Sequence, residues 1–173
     1  MNLSTIHTVY FVGIGGIGMS ALARYFYANG KQISGYDKTK TPLTQELEDL
    51  GIDIHYEDNL DLIPKDFLDI SVTLVVYTPA VPKTHSQLNY FKNNGYTILK
   101  RAEILGIITQ NSFCFAVAGT HGKTTTSCIL GHIMESKNAT AFLGGISENY
   151  QSNLILGGDK ISVVEADEFD RSF

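Results

Sequence analysis

Val9-Tyr10-Phe11-Val12-Gly13-Ile14-Gly15-Gly16-Ile17-Gly18-Met19-Ser20 opens with four β-formers, passes through a glycine-rich turn and enters the helical pattern Ala21-Leu22-Ala23-Arg24-Tyr25-Phe26. That order is strand, turn, helix. Gly13, Gly15 and Gly18 fit the Gly-x-Gly-x-x-Gly fingerprint, whose glycines serve in turn a tight turn, close approach to a diphosphate, and close helix-to-strand contact. Gln32-Ile33-Ser34-Gly35-Tyr36-Asp37 reads as a second strand ending in an acid about 20 residues further on, where such folds bond ribose hydroxyls. Asp37 has a second reading as a cap on the turn running from Thr39 to Pro42.

A second strand-turn-helix lies downstream. Phe113-Cys114-Phe115-Ala116-Val117 feeds Ala118-Gly119-Thr120-His121-Gly122-Lys123-Thr124-Thr125-Thr126, and a helical pattern follows. Gly119 and Gly122 let backbone approach an anion, the helix aims its unpaired N–H groups at it, and Lys123 reaches the outer phosphates. Thr124 places a hydroxyl for magnesium. The usual spacing has a glycine five residues before the second one, and Val117 stands there, so this is a shorter Gly-x-x-Gly-Lys-Thr variant. A plain glycine turn before an ordinary helix is the competing reading, and the Lys-Thr pair after a strand weighs against it. Ile161-Ser162-Val163-Val164 then delivers Glu165 at a strand's carboxyl end, the arrangement that holds magnesium beside a phosphate loop. Asp167, Glu168 and Asp170 are read as solvating or capping residues.

Between these motifs, Thr41-Pro42 opens a helix through Leu43, Leu47 and Leu50, Ile52 to Tyr56 alternates as a strand, and Asn59 to Phe67 reads as a loop or short helix. Leu74-Val75-Val76-Tyr77 is a buried strand breaking at Thr78-Pro79-Ala80-Val81-Pro82. Ligands of open α/β sheets sit beyond the carboxyl ends of strands, which puts Thr78, Pro79 and Ala80 near the first glycine loop. Helices are expected over 86–94 and 101–108, a strand over 97–99, another over 140–143, and a loop at Gly144-Gly145-Ile146 that reads equally as ligand-facing or structural. Ile129/Ile133 and Leu130/Met134, each four apart, predict a core-facing helix side. His7, His55, His85 and His132 have no partner motif and are read as satisfied or solvated residues.

The 173 residues suit one domain and part of a second. The polar break Gln110-Asn111-Ser112 suggests a first unit over 1–108 and a second unit over 109–173. From Phe113 there are about 60 residues, fewer than a complete nucleotide-hydrolysing α/β domain uses, so the second unit is expected to be partial. Self-association through that partial unit is a further expectation. Thirteen basic against eighteen acidic residues, net charge −5, with no Lys/Arg cluster, disfavour nucleic acid. No apolar run approaches the roughly 20 residues that span a bilayer and Met1 to Thr8 has no basic segment leading into an apolar stretch, so the expectation is a cytoplasmic protein without a membrane partner. Cys114 and Cys128 lack redox or zinc spacing and are read as buried small apolar residues.

Two phosphate-type loops in one chain, with Gly13 to Ser20, Gly119 to Thr126 and Glu165-Ala166-Asp167-Glu168 as they stand, resemble the Mur ligases of peptidoglycan synthesis. The resemblance runs through the whole chain. It implies a Rossmann-like parallel-sheet domain followed by the start of a P-loop ATPase domain, and ATP-dependent amide-bond formation with Mg2+. Among family members the motifs are most similar to the one that joins L-alanine to UDP-N-acetylmuramate. By the resemblance, Gly13, Ile14, Gly15, Gly16, Ile17 and Gly18, with Asp37, hold the UDP part, and Thr78, Pro79 and Ala80 lie against the nucleotide-sugar. Gly119, Thr120, His121, Gly122, Lys123, Thr124 and Thr125 hold ATP, Lys123 on its β- and γ-phosphates, and Thr124 and Glu165 hold the metal. Three other readings stand beside it: a sibling that recycles muropeptides by attaching a tripeptide, a nicotinamide-dependent oxidoreductase, and a non-catalytic nucleotide-binding module. The oxidoreductase gives Lys123-Thr124 no task.

Overall fold

The computed structural model describes residues 3–166, and Asp167, Glu168 and Asp170 lie outside them. The chain divides into two compact units, Met1–Arg101 and Ala102–Phe173.

The first unit alternates strands β1 (Thr8–Val12), β2 (Gln32–Tyr36), β3 (Asp53–His55), β4 (Thr73–Tyr77) and β5 (Thr97–Lys100) with helices α1 (Ile17–Ala28), α2 (Pro42–Asp49) and α3 (Ser86–Asn93). All pairings are parallel, in the order β3-β2-β1-β4-β5. Parallel strands need long crossovers, and helices on both faces bury both sides of the sheet. This explains why every residue of β1 is buried. Alternation sends Tyr10 and Val12 to one face, where they join Val75, Leu88, Phe91 and Tyr96, and sends Phe11 to the other, 6.5 Å from the Phe26 ring of α1. Thr41 and Thr44 form a reciprocal cap at the start of α2, and Pro42 takes the first helical position, where no N–H is needed. The strand order reverses between β2 and β4 around β1, so the loops after β1 and β4 open at the switch point of the sheet.

In the second unit, α4 (Arg101–Thr109), whose first residue still belongs to the first unit, precedes β6 (Phe113–Val117), α5 (Lys123–Glu135), β7 (Thr140–Ser147), β8 (Ser152–Ile155) and β9 (Ile161–Glu165). The sheet order is β6-β9-β7-β8, with β6, β9 and β7 parallel and β8 antiparallel to β7. Its parallel strands therefore end on one edge, at Val117, Glu165 and the middle of β7.

Three sequence expectations change here. Gly144-Gly145-Ile146 is strand, because β7 runs on to Ser147 through an irregular pairing, and β8 completes a hairpin that the polar stretch around Asn149 concealed. Cys114 is exposed, since β6 is an edge strand whose Phe113 is 68% exposed. Ile129 and Ile133 are likewise exposed, at 56% and 60%. Of the two apolar stripes on α5, only Leu130 and Met134 pack on the core, beside Ala141, Leu143, Ile155 and Val163. Gly131 sets that choice: a Cβ there would lie 2.9 Å from the Ala141 Cβ, so the helix rests on β7 at this residue. Among the described residues no helix is long and apolar enough to cross a membrane.

Candidate nucleotide sites

In the first unit, β1 ends at Val12 and the chain turns back at Gly13, whose φ of 90° lies in the left-handed region. The amides of Gly13 and Ile14 both donate to the Tyr36 carbonyl, at 2.8 and 3.0 Å. A Cβ on Gly13 would stand 2.6 Å from the Thr78 Cγ2, so the loops after β1 and β4 touch. Gly15 donates its amide to Asp37 Oδ2 at 2.7 Å, and Asp37 Oδ1 accepts from Thr39 N at 3.1 Å. Asp37 thus ties the glycine loop to the turn after β2, which is the capping role with a long-range partner added. Ile14 is fully buried, so its side chain belongs to the core, while Pro79 and Ala80 are exposed on the turn after β4.

These loop amides are bonded within the protein, and the first turn of α1 follows directly, its N–H groups running along the helix axis. The side chain of Arg101 lies over that turn: a Cβ on Gly18 would be 2.9 Å from its Cδ and 3.1 Å from its Nη1. Gly18 therefore makes room for a cation instead of a strand, contrary to the role the fingerprint assigns it. Arg101 escaped the sequence reading; its position after β5, on the carboxyl edge of the sheet, was the available signal.

Beneath this edge lies a polar cluster in which the histidines do structural work. Asp58 accepts from the amides of Ser86 and Gln87, at 2.7 and 3.1 Å, while His85 Nδ1 accepts from Leu88 N, so the start of α3 is capped twice. Tyr10 donates to Gln87 Oε1 at 2.9 Å, and Gln87 Nε2 stands 2.6 Å from His55 Nε2. Burial pushes the Tyr10 hydroxyl well above its ordinary range and pulls both His55 and His85 below theirs. Burial also pushes Asp58 up, but its bonds to the two amides outweigh this and leave it lowered.

In the second unit the turn between β6 and α5 carries Gly119 (φ 148°) and Gly122 (φ 76°), and Gly122 occupies the cap position of α5. Thr120, His121, Gly122 and Thr125 are exposed around the helix N-terminus. Lys123 folds back to donate to the Gly119 carbonyl at 2.8 Å, within the loop it would share with a phosphate. Thr124 Oγ1 donates to Glu165 Oε2 at 3.3 Å, so two residues 41 apart in sequence meet at the carboxyl edge of the sheet. Two residues that the sequence reading did not connect to Glu165 join them: Ser127 Oγ donates to Glu165 Oε1 at 2.8 Å, and Gly144 N donates to the same oxygen at 2.9 Å. Gly144 was hidden by its reading as loop, and Ser127 by its place inside a helix, one turn after Thr124. A hydroxyl and a carboxylate are hard oxygen donors, and magnesium characteristically takes one or two carboxylates plus substrate phosphates. The pair fits that ion.

This combination defines an α/β protein with two glycine-bearing strand-turn-helix loops, one in each unit. The family model described as Mur ligase family, catalytic domain, matches residues 8–113, and the chain belongs to the Mur ligase family. At the level of single proteins it is similar to the UDP-N-acetylmuramate--L-alanine ligases of Flavobacterium psychrophilum, 66% identical over 100% of this chain and 39% of the relative, and of Porphyromonas gingivalis, 58% identical over 95% and 37%. The chain thus spans about two fifths of the length of the curated relatives it matches. Among solved structures it superposes on the UDP-N-acetylmuramate-alanine ligase of Thermotoga maritima with a TM-score of 0.80 and 34% identity, covering 93% of this chain and 37% of that one. The UDP-N-acetylmuramate:L-alanyl-gamma-D-glutamyl-meso-diaminopimelate ligase of Neisseria meningitides gives 0.81 and 25%, over 95% and 54%.

Proposed function

We propose that this chain is the amino-terminal part of an ATP-dependent ligase that joins L-alanine to UDP-N-acetylmuramate in the cytoplasm. The observation that carries the reading is the convergence of Thr124 and Glu165 at the start of α5, beside Lys123, in a chain that also holds a separate glycine loop at a sheet switch point. Residues 1–108 would hold the UDP-sugar through the first turn of α1, Arg101 and the turn at Thr78, Pro79 and Ala80. Residues 109–173 would open the ATP-binding domain. The exposed apolar residues Phe113, Ile129 and Ile133 are where self-association would occur.

The chemistry follows from charge. A carboxylate acylates poorly because its leaving group would be oxide. Its oxygen therefore attacks the γ-phosphorus, an O–P bond forms, the bridge to the β-phosphate breaks and ADP departs. The amine of alanine then attacks the acyl carbon, the C–N bond forms, phosphate leaves and the amine gives up a proton. Lys123 would neutralise charge building on the departing side, and Thr124 and Glu165 would hold the magnesium that shares this task. The identities of 66% and 58% favour L-alanine over the tripeptide of the sibling ligase, whose structure is as similar in fold at only 25% identity.

Calorimetry on the chain with UDP-N-acetylmuramate, UDP, NADH and Mg-ATP separates the classes, and UDP-ligand binding is expected. Tight NADH binding with no response to UDP ligands would sink the ligase reading. In the complete polypeptide, phosphate release should require L-alanine and not the tripeptide, and Lys123→Ala should lower it by roughly 100-fold or more. Near-normal turnover in Lys123→Ala would refute the loop assignment.

A further inference from the structure

We propose that Ser127 and the Gly144 amide form a clamp that presents Glu165 to its cation through one oxygen only. The proposal rests on the metal-site reading above and adds to it the rule by which the site selects magnesium. Both bonds, 2.8 Å from Ser127 Oγ and 2.9 Å from Gly144 N, end on Oε1. The first is the shorter of the two contacts open to the single Ser127 hydroxyl proton, whose other acceptor is the Thr124 carbonyl at 3.0 Å; among the described residues Oε2 keeps the 3.3 Å contact to the Thr124 hydroxyl. Oε1 thereby has both lone-pair directions occupied. Oε2 is the oxygen turned toward the residue that would share the ion.

The surroundings enforce this orientation. Ser127 is fully buried and stands one turn after Thr124 on α5, so the helix fixes both hydroxyls on one side of the carboxylate. On the other side the carboxylate lies against Gly144: a Cβ there would be 2.4 Å from Oε2, 2.7 Å from Cδ and 2.8 Å from Oε1. Gly145 plays the matching part for Thr124, whose Cγ2 is 3.0 Å from a Cβ built on it. The two glycines of β7 therefore admit the two ligands, and Ser127 stops the carboxylate from rotating.

Magnesium demands near-ideal octahedral geometry with short bonds, whereas calcium accepts six to eight oxygens, bidentate carboxylates included. A carboxylate held by one oxygen suits the first ion. Released, it can close on the ion with both oxygens, which suits the second. Ser127 is thus a positioning residue whose signature is metal discrimination and not simple loss of binding.

The test uses the complete polypeptide and the probe β,γ-imido-ATP, titrated with MgCl2 and separately with CaCl2, and reads the metal dependence of analogue binding by calorimetry. Ser127→Ala is expected to weaken the magnesium-dependent binding about 10-fold, the usual scale for losing a partner of a metal ligand. Calcium-dependent binding should change distinctly less, so that the preference for magnesium narrows. Gly144→Ala, which displaces the carboxylate from the other side, should narrow it too and serves where Ser127→Ala fails to fold. Parallel loss with both ions, or no change with either, overturns the clamp. Lys123→Ala is the control for the site itself: analogue binding that survives it removes the ATP-site reading, whereas binding lost there with an unchanged metal preference in Ser127→Ala removes the clamp alone.

Discussion

Gly13→Ala tests the junction of the two loops on which the first site depends. Two separable costs are built into the position. The φ of 90° is left-handed, which costs an L-residue about 1–2 kcal/mol. The new Cβ would also stand 2.6 Å from the Thr78 Cγ2 and 3.3 Å from the Val81 Cγ2, and overpacking of this kind costs about 1–3 kcal/mol. A total of about 3 kcal/mol is expected. The second cost can be removed by itself: Thr78→Ser deletes the offending methyl but keeps the hydroxyl oxygen that faces the Ala80 amide. Gly13→Ala/Thr78→Ser should therefore recover about 1–2 kcal/mol relative to the sum of the single changes, leaving the backbone cost in place. Urea unfolding followed by tyrosine fluorescence is the assay, because the chain has no tryptophan and Tyr150 is its only tyrosine outside the first unit. A single mutant within about 0.5 kcal/mol of the parent, or additive behaviour in the cycle, would refute the contact.

The other tests address α3 and α5. His55 and His85 both have folded pKa values below the unfolded value, so between the two the unfolded chain binds more protons and stability rises with pH. The midpoint temperature of the first unit should hold above the ordinary histidine pKa and fall as pH drops from about 7 toward 5, with Asp58 adding to the loss at lower pH. His85→Asn, which can still cap α3, should flatten that slope; a wild-type midpoint independent of pH over this range contradicts the assignment. On α5, Gly131→Val should destabilise the second unit by about 1–3 kcal/mol through overlap with Ala141 and Ile155, while Ile133→Asp should stay within about 0.5 kcal/mol, as read by thermal denaturation. Equal effects would show that the wrong stripe of the helix has been assigned to the core.

The order of strands and helices in the first unit was legible in the sequence because local signals agree there: buried β-branched runs, a glycine turn, Pro42 suited to a helix's first turn and glycines at helix ends. The glycine turn before α5 and the place of Glu165 at the end of β9 were legible for the same reason, since turn and strand signals are written in adjacent residues. Spacing could not decide which of two apolar stripes on α5 faces the sheet, because Ile129/Ile133 and Leu130/Met134 have the same period; the close approach at Gly131 decides it. Nor could it show that Asp37 bonds the amide of Gly15, or that Arg101 covers Gly18, since each pairing depends on which strand ends are neighbours in the sheet. The same holds for Glu165. Its residue type and place after an apolar strand were fixed by the chain itself, but the orientation of its carboxylate was decided by Ser127 on a helix and Gly144 on a neighbouring strand, because a carboxylate's rotation is set by the groups that tertiary packing brings within hydrogen-bond reach.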